Sequence, residues 1–263
     1  EKLATLMEHP TTVYSVNDST QCLSGNIFSF ANGTNIPRGG YSSFWRFGDG
    51  ITSISTSPGH TYVYALAAGF DVKLITASDF GCLDSISKKV YVYDQPTVAF
   101  SVNDSVQCMN EHNYVFTSNS TIPNGTITYA WEFGDGTNST MTNPNHTYGT
   151  DGNYTSKLVV TSDQNCTDSF SKPLELNPNT AIGFAMNTNP QCFNGHRFDF
   201  TNSSSLSTGT YTNAWSLGDG NTAASTNIIG KTYASFLDSF EVKLVTTTNK
   251  GCADAMIRQA YLN

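Results

Sequence analysis

This sequence has few charged residues, few basic residues and no long hydrophobic run. Only 13% of its 263 residues are charged, and 13 Lys and Arg stand against 21 Asp and Glu, giving a formal net charge of −8. Such a chain repels phosphate backbones, so nucleic-acid binding is a poor expectation. The longest apolar stretch, residues 62–70, has nine residues. A membrane-spanning helix needs roughly 20, so we expect no membrane span.

Signatures of catalytic sites are also missing. The five histidines never fall at the i, i+4 spacing of helical metal ligands, and neither His-Glu-x-x-His nor Gly-x-Ser-x-Gly occurs. We therefore expect no enzyme activity, no catalytic residue and no cofactor.

The sequence contains one unit that is repeated three times. Its three tryptophans lie 86 and 84 residues apart, and each precedes a Gly-Asp-Gly. The cysteines keep the same period, one early and one late in each unit. The repeated positions are Trp45, Trp131 and Trp215; Gly48, Asp49, Gly50, Gly134, Asp135, Gly136, Gly218, Asp219 and Gly220; Cys22, Cys108 and Cys192 early; and Cys82, Cys166 and Cys252 late. Repeats of this length indicate an array of similar domains.

Within each unit the hydrophobic pattern has a period of two residues, and no stretch shows sustained helical periodicity. Short runs of Val, Ile, Thr, Tyr and Phe, broken every eight to twelve residues by Asn, Gly, Asp and Ser, are typical of a β-sandwich of about seven strands. We predict an all-β chain of three tandem sandwiches over residues 10–94, 95–177 and 178–263, joined by short, stiff linkers. Residues 1–9 are predicted to be the end of a preceding repeat or a linker.

The motifs carry a resemblance to a known family. Trp-x-Phe-Gly-Asp-Gly, then Asn-Pro-Asn-His-Thr-Tyr at 143–148 and Gly-x-Tyr-x-x-Lys-Leu-x-Val at 152–160, resemble the polycystic kidney disease (PKD) domain. The resemblance implies an immunoglobulin-like sandwich that spaces or adheres outside the cell and does not itself catalyse a reaction. The paired cysteines and the Asn/Thr/Ser-rich surface resemble the PKD repeats of large secreted adhesins of gliding bacteria. The third copy departs from the motif, with Leu217 in place of Phe and Lys231 where His60 and His146 stand.

The repeated residues are interpreted first as structural. The aspartates between glycines are expected to close tight turns by accepting backbone N–H bonds, and the tryptophans to fill the sandwich cores. Asp49, Asp135 and Asp219 are also weak candidates for calcium, although no Asp-x-Asp-x-Asp-Gly loop occurs.

Matched cysteines without a Cys-x-x-Cys spacing indicate disulfides and a secreted chain. Pairing within units, as Cys22–Cys82, Cys108–Cys166 and Cys192–Cys252, is slightly favoured. An immunoglobulin-like topology would, however, place those partners at opposite poles, beyond disulfide reach. The alternative pairs Cys22 with Cys166 and Cys108 with Cys252 across the junctions between successive units, which we call seams. It leaves Cys82 and Cys192 for other units.

The leading expectation is a non-catalytic extracellular rod within a longer cell-surface filament or adhesin. Its partners would be neighbouring repeats, a surface polysaccharide or another cell-surface protein, with self-association into a fibre as a further option. The alternative is a carbohydrate- or protein-binding accessory region of a secreted hydrolase. That function needs exposed aromatic rings, for which Tyr41, Tyr129 and Tyr211 are the candidates.

Overall fold

The computed structural model describes residues 9–234 and 238–263. Throughout these two ranges the chain forms strands, turns and loops, and no helix. The predicted all-β fold is confirmed. Of the segment 1–9, residues 1–8 lie outside the described residues.

The first repeat contains eight strands. These are β1 Tyr14–Val16, β2 Thr20–Cys22, β3 Phe28–Asn32, β4 Tyr41–Arg46, β5 Thr52–Ser53, β6 Gly59–His60, β7 Phe70–Ser78 and β8 Leu83–Tyr93. They form a three-stranded sheet in the order β1-β3-β6 and a five-stranded sheet in the order β2-β8-β7-β4-β5. All pairs are antiparallel except β2 and β8, which run parallel.

The second repeat has the same eight strands and the same two sheets. They are β9 Phe100–Val102, β10 Val106–Cys108, β11 Tyr114–Ser118, β12 Ile127–Glu132, β13 Asn138–Ser139, β14 Asn145–His146, β15 Gly152–Ser162 and β16 Thr167–Asn177. The sheet orders are β14-β11-β9 and β10-β16-β15-β12-β13. β10 repeats the parallel pairing, with β16.

The third repeat has no strand at the position of β2 and β10. Its strands are β17 Phe184–Met186, β18 Phe198–Asn202, β19 Tyr211–Ser216, β20 Thr222–Ala223, β21 Ile228–Lys231, β22 Ser239–Thr248 and β23 Ala253–Tyr261. The sheets run β17-β18-β21 and β20-β19-β22-β23. A single parallel bridge between Gln191 and Leu262 replaces the missing strand pair.

Each repeat has its own hydrophobic core between its two sheets. One cluster is built around Trp45, a second around Trp131 and a third around Trp215, and no side chain is shared among them. The strand pattern explains this separation. Residues of β7 alternate between buried and less buried positions, so one face of the strand packs against the opposite sheet. Three separate cores favour three domains, and the exact boundaries given above remain a prediction.

Candidate functional site: acidic corners and repeat seams

The tryptophans lie at the centre of the cores and are inaccessible to a ligand. Trp45, Trp131 and Trp215 are at most 1% exposed. Each indole N–H donates to a backbone carbonyl ten residues later in the chain, at 2.9–3.0 Å. A buried indole needs such an acceptor, so these rings fill and orient the core and present no surface for sugar stacking.

The aspartate of each Gly-Asp-Gly closes its own turn and also contacts a second segment. In the second repeat, Asp135 Oδ1 accepts the Thr137 N–H at 3.0 Å, and Oδ2 lies 2.8 Å from His146 Nε2. The His146 ring stacks on Phe133, with centroids 4.2 Å apart. The first repeat has the same arrangement, with Asp49 Oδ2 2.8 Å from His60 Nε2. We call this Asp–His arrangement, and its Asp219–Lys231 counterpart in the third repeat, the acidic corner.

The third repeat keeps the corner but changes its cation. Lys231 Nζ lies 2.5 Å from Asp219 Oδ2, and Asn221 donates to the same carboxylate from its backbone and side chain. Lys231 also lies over the Tyr233 ring, 5.0 Å from its centroid. Lysine thus keeps the contact with the carboxylate and packs on the tyrosine two residues later, as His146 packs on Tyr148 with centroids 4.6 Å apart.

Hydrogen bonding favours the ionised form of two corner aspartates. Burial opposes the charge on Asp135, but donors from Thr137 and His146 outweigh it and lower the pKa of that carboxyl. At Asp219 burial again opposes the charge, and Lys231 and Asn221 outweigh it, so the pKa of Asp219 is also lowered.

The corners do not fit calcium. Calcium takes six to eight oxygen ligands, whereas each corner offers one carboxylate whose oxygens already accept hydrogen bonds from the chain. In the third repeat, the Lys231 ammonium group contacts the carboxylate where the histidine ring contacts it in the other two repeats. Among residues 9–234 and 238–263, no group of three or more His, Cys, Asp or Glu side chains is placed to hold a metal ion.

A buried tyrosine connects the corner to the core in every repeat. The hydroxyls of Tyr62, Tyr148 and Tyr233 donate to the carbonyls of Phe47, Phe133 and Leu217 at 2.8–2.9 Å. Burial raises the pKa of all three phenols, so they remain donors at any physiological pH.

The first glycine of each Gly-Asp-Gly is required by a close backbone approach. Gly134 has φ of +90°, and a Cβ built there would lie 2.8 Å from the Thr155 carbonyl oxygen. Gly48 and Gly218 repeat this approach against Asp71 and Glu241. The second glycines, Gly50, Gly136 and Gly220, also have positive φ but have no atom within 4 Å of a Cβ.

The tyrosines considered for ligand stacking do not form an exposed row. Tyr41, Tyr129 and Tyr211 are only partly exposed, and the Tyr211 hydroxyl donates to the Ser204 carbonyl at 2.7 Å. Tyr129 is also out of register, because it lies opposite Val160, whereas Tyr41 lies opposite Ser78 at the start of its strand. The interval to the following Trp, two residues for Tyr129 and four for the others, already shows this in the sequence.

Disulfides join neighbouring repeats. Cys22 is bonded to Cys166 and Cys108 to Cys252, each pair 144 residues apart in sequence with Cα atoms 5.5 Å apart. Cys82 and Cys192 are free. The favoured pairing within repeats is therefore wrong, and the alternative across the seams is the one found.

The sandwich topology explains why a bond within a repeat cannot form. Cys22 lies opposite Tyr93, the last residue of β8, whereas Cys82 directly precedes Leu83, the first residue of β8. At roughly 3.3 Å per residue this strand separates the two cysteines by about 33 Å. A disulfide requires Cα atoms within about 7 Å. The late cysteine of one repeat can reach only the early cysteine of the repeat before it.

Polar contacts accompany each disulfide. At the first seam, the Gln95 side chain donates to the Thr167 carbonyl at 2.5 Å, and Asn124 donates to Asp94 at 2.7 Å. At the second seam, Lys250 Nζ lies 2.9 Å from Glu175 Oε1. The Lys250 ammonium lowers the pKa of Glu175. Sequence reasoning did not find these contacts, because their partners lie 30 to 75 residues apart in the chain.

Comparison with known proteins identifies the repeat. The family model for the PKD domain matches residues 93–178. The PKD1 domain of Vibrio anguillarum Epp is 24% identical, with 32% of this chain and 96% of that chain covered and a TM-score of 0.29. The second repeat is a PKD domain, and the first and third repeats share its motifs. The array as a whole has the immunoglobulin-like fold seen in the N-terminal eight Ig domains of Down Syndrome Cell Adhesion Molecule (TM-score 0.60, 9% identity, 95% of this chain and 36% of that chain covered).

The chain also matches part of an enzyme. A microbial collagenase of Vibrio alginolyticus is 50% identical over 50 residues, which are 19% of this chain and 6% of the collagenase. PKD and Ig-like domains are generally non-catalytic.

Among the described residues, no helix is long and apolar enough to cross a membrane.

Proposed function

We propose that these PKD repeats form a non-catalytic, semi-rigid extracellular spacer within a longer cell-surface filament or adhesin. The observation that carries the proposal is the pair of disulfides across the seams. Because each joins two repeats that already have closed cores, its main effect is to fix one repeat relative to the next.

The same bonds support an extracellular location. Disulfides persist in oxidising compartments and are rare in the cytosol. The resemblance to repeats of gliding-bacterial adhesins supports a cell-surface role, in which the array holds a binding element that contacts surface polysaccharide or another cell-surface protein. Self-association of such arrays into a fibre is a separate, lower-ranked hypothesis.

Small-angle scattering of the oxidised chain tests the spacer. The longest strands have 11 residues. Each repeat should therefore span about 35 Å and three about 100 Å. We expect a maximum dimension near that length and a rod-like distance distribution. A distribution typical of a compact globule would reject the proposal.

The match to a collagenase supports a second function, an accessory region that binds the insoluble substrate of a secreted hydrolase. Co-sedimentation with insoluble collagen, chitin and cellulose tests it. Retention in one pellet, with no retention of the same chain after thermal unfolding, would support this role. Complete recovery in all three supernatants would exclude binding to those substrates.

A further inference from the structure

The two free cysteines occupy the same positions as the bonded ones. After each early cysteine, the next residue donates its N–H to a carbonyl at the end of the long final strand of its repeat, or two residues beyond it in the third repeat. Leu23 donates to Tyr93 at 2.8 Å, Met109 to Asn177 at 2.9 Å and Phe193 to Asn263 at 3.0 Å. Cys192 is therefore held at the end of its repeat in the same way as Cys22 and Cys108.

The late cysteines share a second hydrogen-bonding pattern. The N–H groups of Cys82, Cys166 and Cys252 donate to a hydroxyl four residues earlier, at 3.0–3.1 Å. Their carbonyls accept the N–H of that same residue at 2.8–2.9 Å. Cys82 is thus presented by the same turn as the two late cysteines that are bonded.

Each free cysteine is more exposed than the bonded cysteines at the equivalent positions. Among the late cysteines, Cys166 and Cys252 are fully buried and Cys82 is partly exposed. Among the early ones, Cys22 and Cys108 are partly exposed and Cys192 is exposed. Since the local geometry is the same, the lower exposure of the bonded cysteines comes from the neighbouring repeat that covers them.

At the existing seams, residues near the bonded cysteines make polar contacts with the neighbouring repeat or linker. The equivalent residues near Cys82 and Cys192 are aromatic or aliphatic. Lys250, two residues before Cys252, pairs with Glu175, two residues before the end of its repeat's final strand. The equivalent residues beside the free cysteines are Phe80, 55% exposed, and Tyr261, 47% exposed. Leu83, 62% exposed, follows Cys82 as Thr167 follows Cys166, and Thr167 accepts the hydrogen bond from the preceding linker.

We propose that Cys192 and Cys82 are the two halves of a third inter-repeat disulfide, and that each end of the array docks another PKD-type repeat carrying the complementary cysteine. An aromatic contact of the Tyr261–Phe80 type would replace the Lys250–Glu175 ion pair at this seam. A second copy of this chain supplies both halves. The inference concerns the ends of the array and is independent of whether the array serves an adhesin or a hydrolase.

The bond forms by thiol–disulfide exchange with a small disulfide such as oxidised glutathione. The thiolate of one cysteine attacks the oxidant and releases one glutathione, and the second cysteine then attacks the mixed disulfide and releases the other. One protein disulfide forms, two thiols are oxidised and one glutathione disulfide is reduced to two glutathiones.

Mixing two single variants tests the specificity of the pairing. Cys82→Ser retains Cys192, and Cys192→Ser retains Cys82, so in a glutathione redox buffer the only complementary dimer contains one chain of each. We expect this heterodimer to exceed each homodimer by about tenfold or more at equilibrium, against about twofold for random pairing. Statistical amounts of all three dimers, or an excess of either homodimer, would overturn the proposal.

A duplicated chain removes the concentration limit on a weak contact. Residue 263 of the first copy is followed directly by residue 8 of the second, because Glu8 precedes Pro10 as Asp94 precedes Pro96. Tethering raises the effective concentration to about millimolar. We expect peptide mapping to find Cys192 of the first copy bonded to Cys82 of the second. If both remain free thiols while the four existing disulfides form, the inference is wrong, although a rod-shaped scattering curve would still support the spacer.

Discussion

Removal of one seam disulfide should weaken the array without disturbing the interior of either repeat. The perturbation is Cys22→Ser combined with Cys166→Ser. The bond closes a loop of 144 residues that spans parts of two domains. In the chain-entropy description, opening a loop of that size lowers the free energy of unfolding by about 5 kcal/mol. This is an upper value, because it applies in full only when both joined repeats are unfolded.

Guanidinium denaturation followed by far-ultraviolet circular dichroism measures the effect. The matched control is Cys82→Ser combined with Cys192→Ser, which also removes one early and one late thiol but breaks no bond. We expect the control to unfold at the midpoint of the unchanged chain and the Cys22/Cys166 variant at a clearly lower denaturant concentration. Equal midpoints for the two double variants would refute the reasoning. Non-reducing peptide mapping that recovered Cys22 with Cys82 would refute it independently.

Three further predictions concern the second repeat. Gly136→Ala should cost about 1 kcal/mol for its positive φ, whereas Gly134→Ala should cost at least about 2 kcal/mol more because its Cβ meets the backbone of β15, and denaturant unfolding of the two variants compares them. Tyr148→Phe should cost about 1–3 kcal/mol, measured in the same way, since it leaves a buried carbonyl without its donor. The lowered pKa of Asp135 means that its contribution is complete above the unfolded-state pKa of about 4 and is lost as the pH falls through the folded-state value. Asp135→Asn should therefore flatten the acid limb of stability against pH below about pH 5.

Periodicity and turn residues were sufficient to predict the all-β fold and three repeated units. The hydrophobic alternation that precedes each Trp places its side chain inward, and the strand that follows each Thr-Tyr reads as alternating in the sequence and in the structure. These features depend on neighbours within about ten residues along the chain, which is why a single sequence contains them.

Contacts between residues far apart in the chain could not be predicted from the sequence, because they depend on how the chain folds. The pairing of Asp135 with His146 requires the path of the chain around β13 and β14, and the substitution of Lys231 for histidine obscures the common role of that position. The predicted row of exposed tyrosines does not form, because the prediction used residue type and ignored strand register. Tyr129 lies two residues along β12 from the position that Tyr41 and Tyr211 occupy in their strands.

The cysteines show how topology decides what spacing leaves open. A separation of 60 residues within a repeat and one of 144 across a seam are equally regular in the sequence, because both repeat with the period of the array. Only the length of β8 and β16 distinguishes them, since each long strand carries the chain from the late-cysteine pole to the early-cysteine pole. A repeat of this design cannot use its cysteines to stabilise itself. In the second repeat, Cys166 bonds to the preceding repeat and Cys108 to the following one, so each of the two seams has one covalent cross-link.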